Sequence, residues 1–284
     1  MQDNLNSKYK SIVDFLQMSS EIYFNETGIK VKIEIVNDFS FNARVSKIEE
    51  KVYKIEIRHG CLCLENLIEN ITNRYTEDDL KSFWRFRKLN IFEKNAGDTY
   101  REELNQLFGS IILLHIFFHE CGHITAKYID KENGTYAEMQ PSDNGGYEKQ
   151  EQEMVADWLS TKFLYKSMFF ATIGTDKIDF EELLSILEQL TILYWLSLTI
   201  EFQIFDSVHT GDVPDYSLLT HPHPAVRLYY SLDAMQECIL DIFNIYGFDD
   251  MQAEYGVEYI VNNIYILIES YLQITETPIS IKKD

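Results

Sequence analysis

Basic residues are scarce in this chain. Its 284 residues carry 25 lysines and arginines against 46 acidic residues, a formal charge of −21. That imbalance serves solubility first, and it opposes nucleic acid and anionic membrane surfaces as partners. Cysteine is equally sparse: Cys61, Cys63, Cys121 and Cys238 are too few and too scattered for a disulfide framework or a cysteine-rich zinc cluster. A reducing compartment is the expectation. The opening residues, MQDNLNSKYK, lack the charged-then-apolar order of a secretory signal, so a cytoplasmic location is expected. No internal repeat, low-complexity tract or linker interrupts the sequence. One apolar run, residues 183–205, approaches membrane length, but Glu188, Gln189, Glu201 and Gln203 break it and no basic flank orients it. It reads as a buried central helix, and membrane association is not expected.

Apolar residues are present in quantity. At 45% hydrophobic content the chain can bury a large core, and we expect one domain over residues 1–284, an α+β part over 1–130 followed by a helical part over 131–284. Residues 5–24 have helical periodicity. Residues 30–36 (KVKIEIV) and 51–57 (KVYKIEI) alternate as strands, with a third candidate between them. Helices are expected over 62–71 and over 78–92, the second opened by a capping box of Thr76 and Asp79. Residues 130–147, with Gly134, Pro141, Gly145 and Gly146, form a loop long enough to be functional or to hide a short element. Further helices are expected over 148–170, from a cap at Asp179 with Glu182 to 206, over 225–246 and over 251–274.

The chain is organised around residues 111–128, IILLHIFFHECGHITAKY. Within this apolar helix His119 and His123 stand one turn apart on one face, so both rings can reach a single ion. Glu120 lies at the edge of that face, where a carboxylate can take a proton from metal-bound water. Two histidines and a glutamate would be costly in so apolar a helix without a partner, which a metal supplies. His115, a turn earlier, reads as a support for a ligand or as a satisfied core histidine. The longer metzincin pattern is absent, since Ala126 and Ile129 stand where it requires Gly and His.

A third protein ligand is needed, and EQEMVADWL offers Glu153 with Asp157 one turn later on the same face. Glu148 and Glu151 are rivals without such a companion. Asp157, inside an apolar run, reads as the acceptor that orients a ligand imidazole, and the small Ala156 would let this helix approach the metal helix closely. Cys121 cannot be a fourth ligand, because it points about 200° away from His119.

HExxH followed by ExxxD resembles the gluzincin metallopeptidases, whose two histidines and distal glutamate hold a catalytic zinc. Thr220-His221-Pro222 with Arg227 six residues after the histidine is similar to a third motif in the zinc peptidases that include the CAAX prenyl-protease and the bacterial heat-shock membrane protease. In that family the histidine and arginine line the active site and steady the transition state and the aspartate. Those relatives are membrane proteins; phage-exclusion peptidases of the Lit type and antitoxin-like peptidases that cleave repressors are soluble alternatives.

The resemblance implies a zincin-like α+β fold, predominantly helical, with a small N-terminal sheet packed on the HExxH helix. It implies one Zn²⁺ held by His119, His123 and Glu153, Glu120 as general base, Asp157 in support, and His221 with Arg227 at the oxyanion. The expected activity is hydrolysis of a peptide bond in a protein or peptide substrate. A zinc-containing binding protein without catalysis and a zinc hydrolase of a non-peptide amide are the alternatives.

Overall fold

The computed structural model describes residues 10–64, 68–69, 73, 82–89, 99–126, 135–137, 146–173, 177–207 and 222–275. Helix α1, Lys10–Thr27, buries Ile12, Leu16 and Tyr23, the spacing of one helical stripe. Strands β1 (Lys30–Val36), β2 (Ala43–Glu49) and β3 (Val52–Arg58) follow, so the segment between the two expected strands does supply a third. β2 and β3 form an antiparallel hairpin that turns through Lys51 at φ 58°, while β1 runs parallel to β3 on its other side. Val31, Ile35, Ala43, Val45, Tyr53, Ile55 and Ile57 alternate into the core, as period-two strands require.

The long loop hides a short element. Within it β4, Thr135–Ala137, pairs antiparallel with β2, giving the sheet order β1-β3-β2-β4. The small sheet packs on the central helix α2, Tyr100–Thr125, mainly through β2.

A correction falls at residues 82–89. The sequence suggested an α-helix over 78–92, whereas Ser82–Leu89 is a 3₁₀ helix. Its buried residues Phe83, Phe86 and Leu89 recur strictly every third position, which suits three residues per turn and would drift around an α-helix. Thr76 and Asp79 lie outside the described residues, as does half of the helix expected over 62–71. His59–Leu62 just before it is a 3₁₀ turn.

Helix α2 begins with a capping box that the sequence reading missed. Thr99 Oγ1 accepts from the Glu102 backbone N–H at 3.3 Å, and the Glu102 carboxylate accepts from the Thr99 N–H at 2.5 Å. From Leu107 to Ile124 every residue of this helix is buried, the pattern of a helix surrounded by protein. Against it pack α3 (Gly146–Ile173) and α4 (Phe180–Ser207); α5 (Pro224–Ile245) packs on α3 and α4, and α6 (Asp250–Thr275) on α4 and α5. Asp179 caps α4 as expected, its Oδ1 accepting from the Glu182 N–H at 2.9 Å. The architecture is thus α+β and predominantly helical, and its buried apolar residues form one continuous core that joins the sheet to the helices. Two helices, Tyr100–Thr125 and Phe180–Ile204, are long and apolar enough to cross a membrane, and their most apolar windows are 100% and 78% buried inside the fold.

Candidate metal centre

Helices α2 and α3 meet where neither has bulk. A Cβ on Gly122 would lie 2.9 Å from the Cα and the carbonyl oxygen of Ala156, so only glycine lets the two backbones approach this far. That contact places the HExxH turn directly against the turn that carries Glu153 and Asp157.

The three expected ligands converge there. His119 Nε2 and His123 Nε2 are 3.0 Å apart, and Glu153 presents Oε2 to His119 Nε2 at 3.2 Å and Oε1 to His123 Nε2 at 3.5 Å. A tetrahedral ion with bonds of 2.0–2.1 Å spaces its donors by about 3.3 Å, and one ligand atom from each of the three residues lies within 4.8 Å of the others. All three residues are buried, and among the described residues this is the one group of three such donors close enough to hold an ion. The group could therefore hold a metal. Glu151, one of the rivals for third ligand, is exposed. Gln152 beside it is buried, so the helix turns from solvent to the core at that point.

Asp157 stands behind His119. His119 Nδ1 donates to Asp157 Oδ1 at 2.8 Å, which leaves Nε2 as the ring nitrogen facing Glu153 and His123. Arg227, in the first turn of α5, donates to both Asp157 oxygens, Nε to Oδ2 and a terminal nitrogen to Oδ1, each at 2.7 Å. Its guanidinium also stacks over the Phe202 ring at 4.3 Å from α4. Burial alone would raise the Asp157 carboxyl, but the Arg227 charge and hydrogen bonds, with His119, hold it well below the usual carboxylate range. For His119 burial pushes the imidazole down, and Asp157 followed by Glu153 lifts it well above its ordinary value. In electrostatic terms, a proton and a metal ion compete for this ring.

Charge bookkeeping agrees with the spacing. Glu120, Glu153 and Asp157 against Arg227, all buried, leave a formal charge of −2 with neutral imidazoles. A divalent cation would balance that charge; without one, a proton on the His119 imidazole offsets part of it.

His115 is not in the donor group, although its ring centroid lies 6.2 Å from that of His119. Its Nδ1 donates to Glu201 of α4, 3.0 Å from Oε1 and 2.9 Å from Oε2, and its ring packs edge-on against Tyr194 and Phe202. In the sequence Glu201 was read only as an interruption of an apolar run and Phe202 as part of that run, since nothing local ties them to a site at residues 115 and 227. His221 lies outside the described residues. The N-cap of α5 is His223, whose Nδ1 accepts from the Ala225 N–H at 3.1 Å.

Compared with protein-family models, with curated proteins and with solved structures, the chain matches none. The gluzincin resemblance therefore rests on the motifs alone.

Proposed function

We propose that the protein is a zinc-dependent endopeptidase with a zincin-like site, Zn²⁺ being held by His119, His123 and Glu153. The observation that carries this reading is the buried His119, His123 and Glu153 cluster, one ligand atom of each within 4.8 Å of the others, beside a buried Glu120. What zinc supplies when bound by such a set is Lewis acidity toward a carbonyl oxygen and acidification of a bound water. Glu120 takes the proton of the attacking water and passes it to the leaving amine. Asp157 fixes the His119 tautomer, and Arg227 keeps Asp157 ionised in its buried setting. His221, by its resemblance to the third family motif, would donate to the oxyanion, and its loss would lower kcat by about 10²–10³.

One feature favours a second reading, a structural zinc in a protein that catalyses nothing. Glu120, His123 and Glu153 are completely buried, whereas a substrate must reach a catalytic ion. Against it, structural zinc is usually held by four protein donors, and the group among the described residues has three.

The experiment has two arms. Elemental analysis of purified protein should give about one zinc per chain, lost in His119→Ala. A survey of new protein N-termini after induction should then show cleavage by the wild type and none by Glu120→Gln, a variant that keeps its zinc. Zinc in both with identical N-termini leaves the structural reading standing. No zinc in either removes the metal site altogether.

A further inference from the structure

We propose that the outward groove between α5 and α6 docks a basic amphipathic helix of a partner protein. The two helices form a hairpin that turns at Gly247, φ 81°, and come together at Gly256, where a Cβ would lie 2.4 Å from the Phe243 ring. Their inner faces, including Met235, Ile239, Ile242, Ile260 and Ile264, go to the core. On the opposite side they leave a trough of about 480 Å³. Leu240, Val257 and Val261 give it an apolar lining; Asp233 and Glu237 stand along one helix and Glu254 and Glu258 along the other. Among the described residues no lysine or arginine lines it.

Folding does not call for this arrangement. Each acidic pair is four residues apart on its helix, a like-charge spacing that costs about 0.2–0.5 kcal/mol per pair. Among the described residues the ion pair in this set is that of Glu237 with Lys162 Nζ at 2.7 Å. Leu240 is 37% exposed, and Val226, Tyr229 and Tyr230, at 40%, 63% and 39%, are also open to solvent at the N-terminal end of the same helix. The lining rows extend about two helical turns, the contact length of one helix laid in a groove.

Charge selects the occupant. A second copy offering the same face, an anionic lipid surface or a nucleic acid would each bring negative charge to four carboxylates. A lone metal cation would make no use of the apolar lining. A helix with an apolar stripe flanked by lysine or arginine satisfies both features, the stripe against Leu240, Val257 and Val261 and the cations against the two acidic rows. The site is separate from the metal centre and does not depend on the proposed peptidase activity.

The probe is a synthetic lysine/leucine amphipathic helix, fluorescently labelled and titrated with the full chain at physiological salt. Binding should weaken by about tenfold or more in Glu254→Lys/Glu258→Lys. It should also weaken in Leu240→Ser/Val261→Ser, which keeps every charge. The control, Glu49→Lys/Glu50→Lys on the distant β2–β3 turn, makes the same change in net charge and should weaken binding by less than about threefold. Equal weakening in the groove and control charge variants would reduce the effect to general attraction by an acidic protein and overturn the proposal. Absence of binding by the wild type, or binding indifferent to Leu240→Ser/Val261→Ser, would overturn it as well. Circular-dichroism melts confirm that each variant is folded before its titration is read.

Discussion

His115 and Glu201 form a second buried histidine–carboxylate pair, one helical turn along α2 from the pair that His119 makes with Asp157. The two pairs look alike and are placed differently. Asp157 backs a ring whose other nitrogen faces the ligand cluster, whereas Glu201 ties α2 to α4 among Tyr194 and Phe202. Glu201→Ala should therefore lower stability by about 1–3 kcal/mol, the cost of a buried donor left without its acceptor, and leave metal content unchanged. Denaturant titration with parallel elemental analysis decides it. Metal loss from a folded Glu201→Ala protein would mean that α4 also orients the ligands.

The ligands and their support should separate on an affinity scale. Glu153→Ala removes a donor and should abolish stoichiometric metal, whereas Asp157→Asn should weaken binding by about 10–100-fold. Competition against a chromophoric chelator gives both values. If the aspartate variant loses more than the glutamate variant, the two roles are exchanged.

Arg227→Met should show a distinctive pH dependence. In the wild type the Asp157 carboxyl is held below its unfolded value, so it contributes stability above about pH 3.9 and loses that contribution as pH falls toward its folded value. Without the guanidinium, burial acts with less opposition and the carboxyl rises. The variant should then be less stable by about 3–5 kcal/mol at neutral pH, and the gap should narrow as acid protonates Asp157. Urea titrations of metal-free protein across pH test the sign; a gap that widens in acid would show that Arg227 does not hold the carboxyl down.

Gly122→Ala offers a test by steric bulk. At an ordinary helix site this change gains about 1 kcal/mol in propensity. Here the added methyl meets the Ala156 backbone at 2.9 Å, and overpacking should instead cost about 1–3 kcal/mol and weaken metal binding. A stabilised variant with full metal affinity would show that α2 and α3 are not in backbone contact.

Thiol chemistry tests the core independently. Cys61, Cys121 and Cys238 are buried and Cys63 is exposed. Burial pushes the Cys238 thiol up to about 12, and burial followed by the Glu120 charge lifts Cys121 well above its ordinary value, so both stay protonated at pH 8. Alkylation of native protein at that pH should modify Cys63 first, and denaturation should release the other three. Rapid labelling of Cys121 in the native state would contradict the packing of α2.

The candidate metal-binding residues were legible because helical geometry is local. Residues four apart share a face whatever surrounds them, so HExxH and ExxxD each declare a pair, and the apolar context of Asp157 marks it as buried. The strands were legible for the same reason, through a period of two. Asp157 with Arg227 spans 70 residues and His115 with Glu201 spans 86, and no periodicity carries information over such distances. Arg227 was found through a motif resemblance and Glu201 was not found. The 3₁₀ helix at Ser82–Leu89 was legible in principle from its three-residue spacing, but the stretch was read only as a helix opened by a capping box at Thr76 and Asp79. The Thr99–Glu102 cap was missed although its four-residue signature is present.

The course of β4 bears on how the chain can fold. Residues 135–137 close the sheet against β2 at 44–46, so α2, with its two histidines, lies in sequence between two strands that pair with each other. Strand β3 and the HExxH helix are therefore enclosed in one long-range loop, whose closure entropy must be met before the edge pairing returns any stabilisation. A fragment ending at residue 130 would lack β4 as well as Glu153, exposing the β2 backbone as an aggregation-prone edge. On a ribosome, the sheet can be completed only after the HExxH helix has been synthesised, and Glu153 follows within about twenty residues of that event.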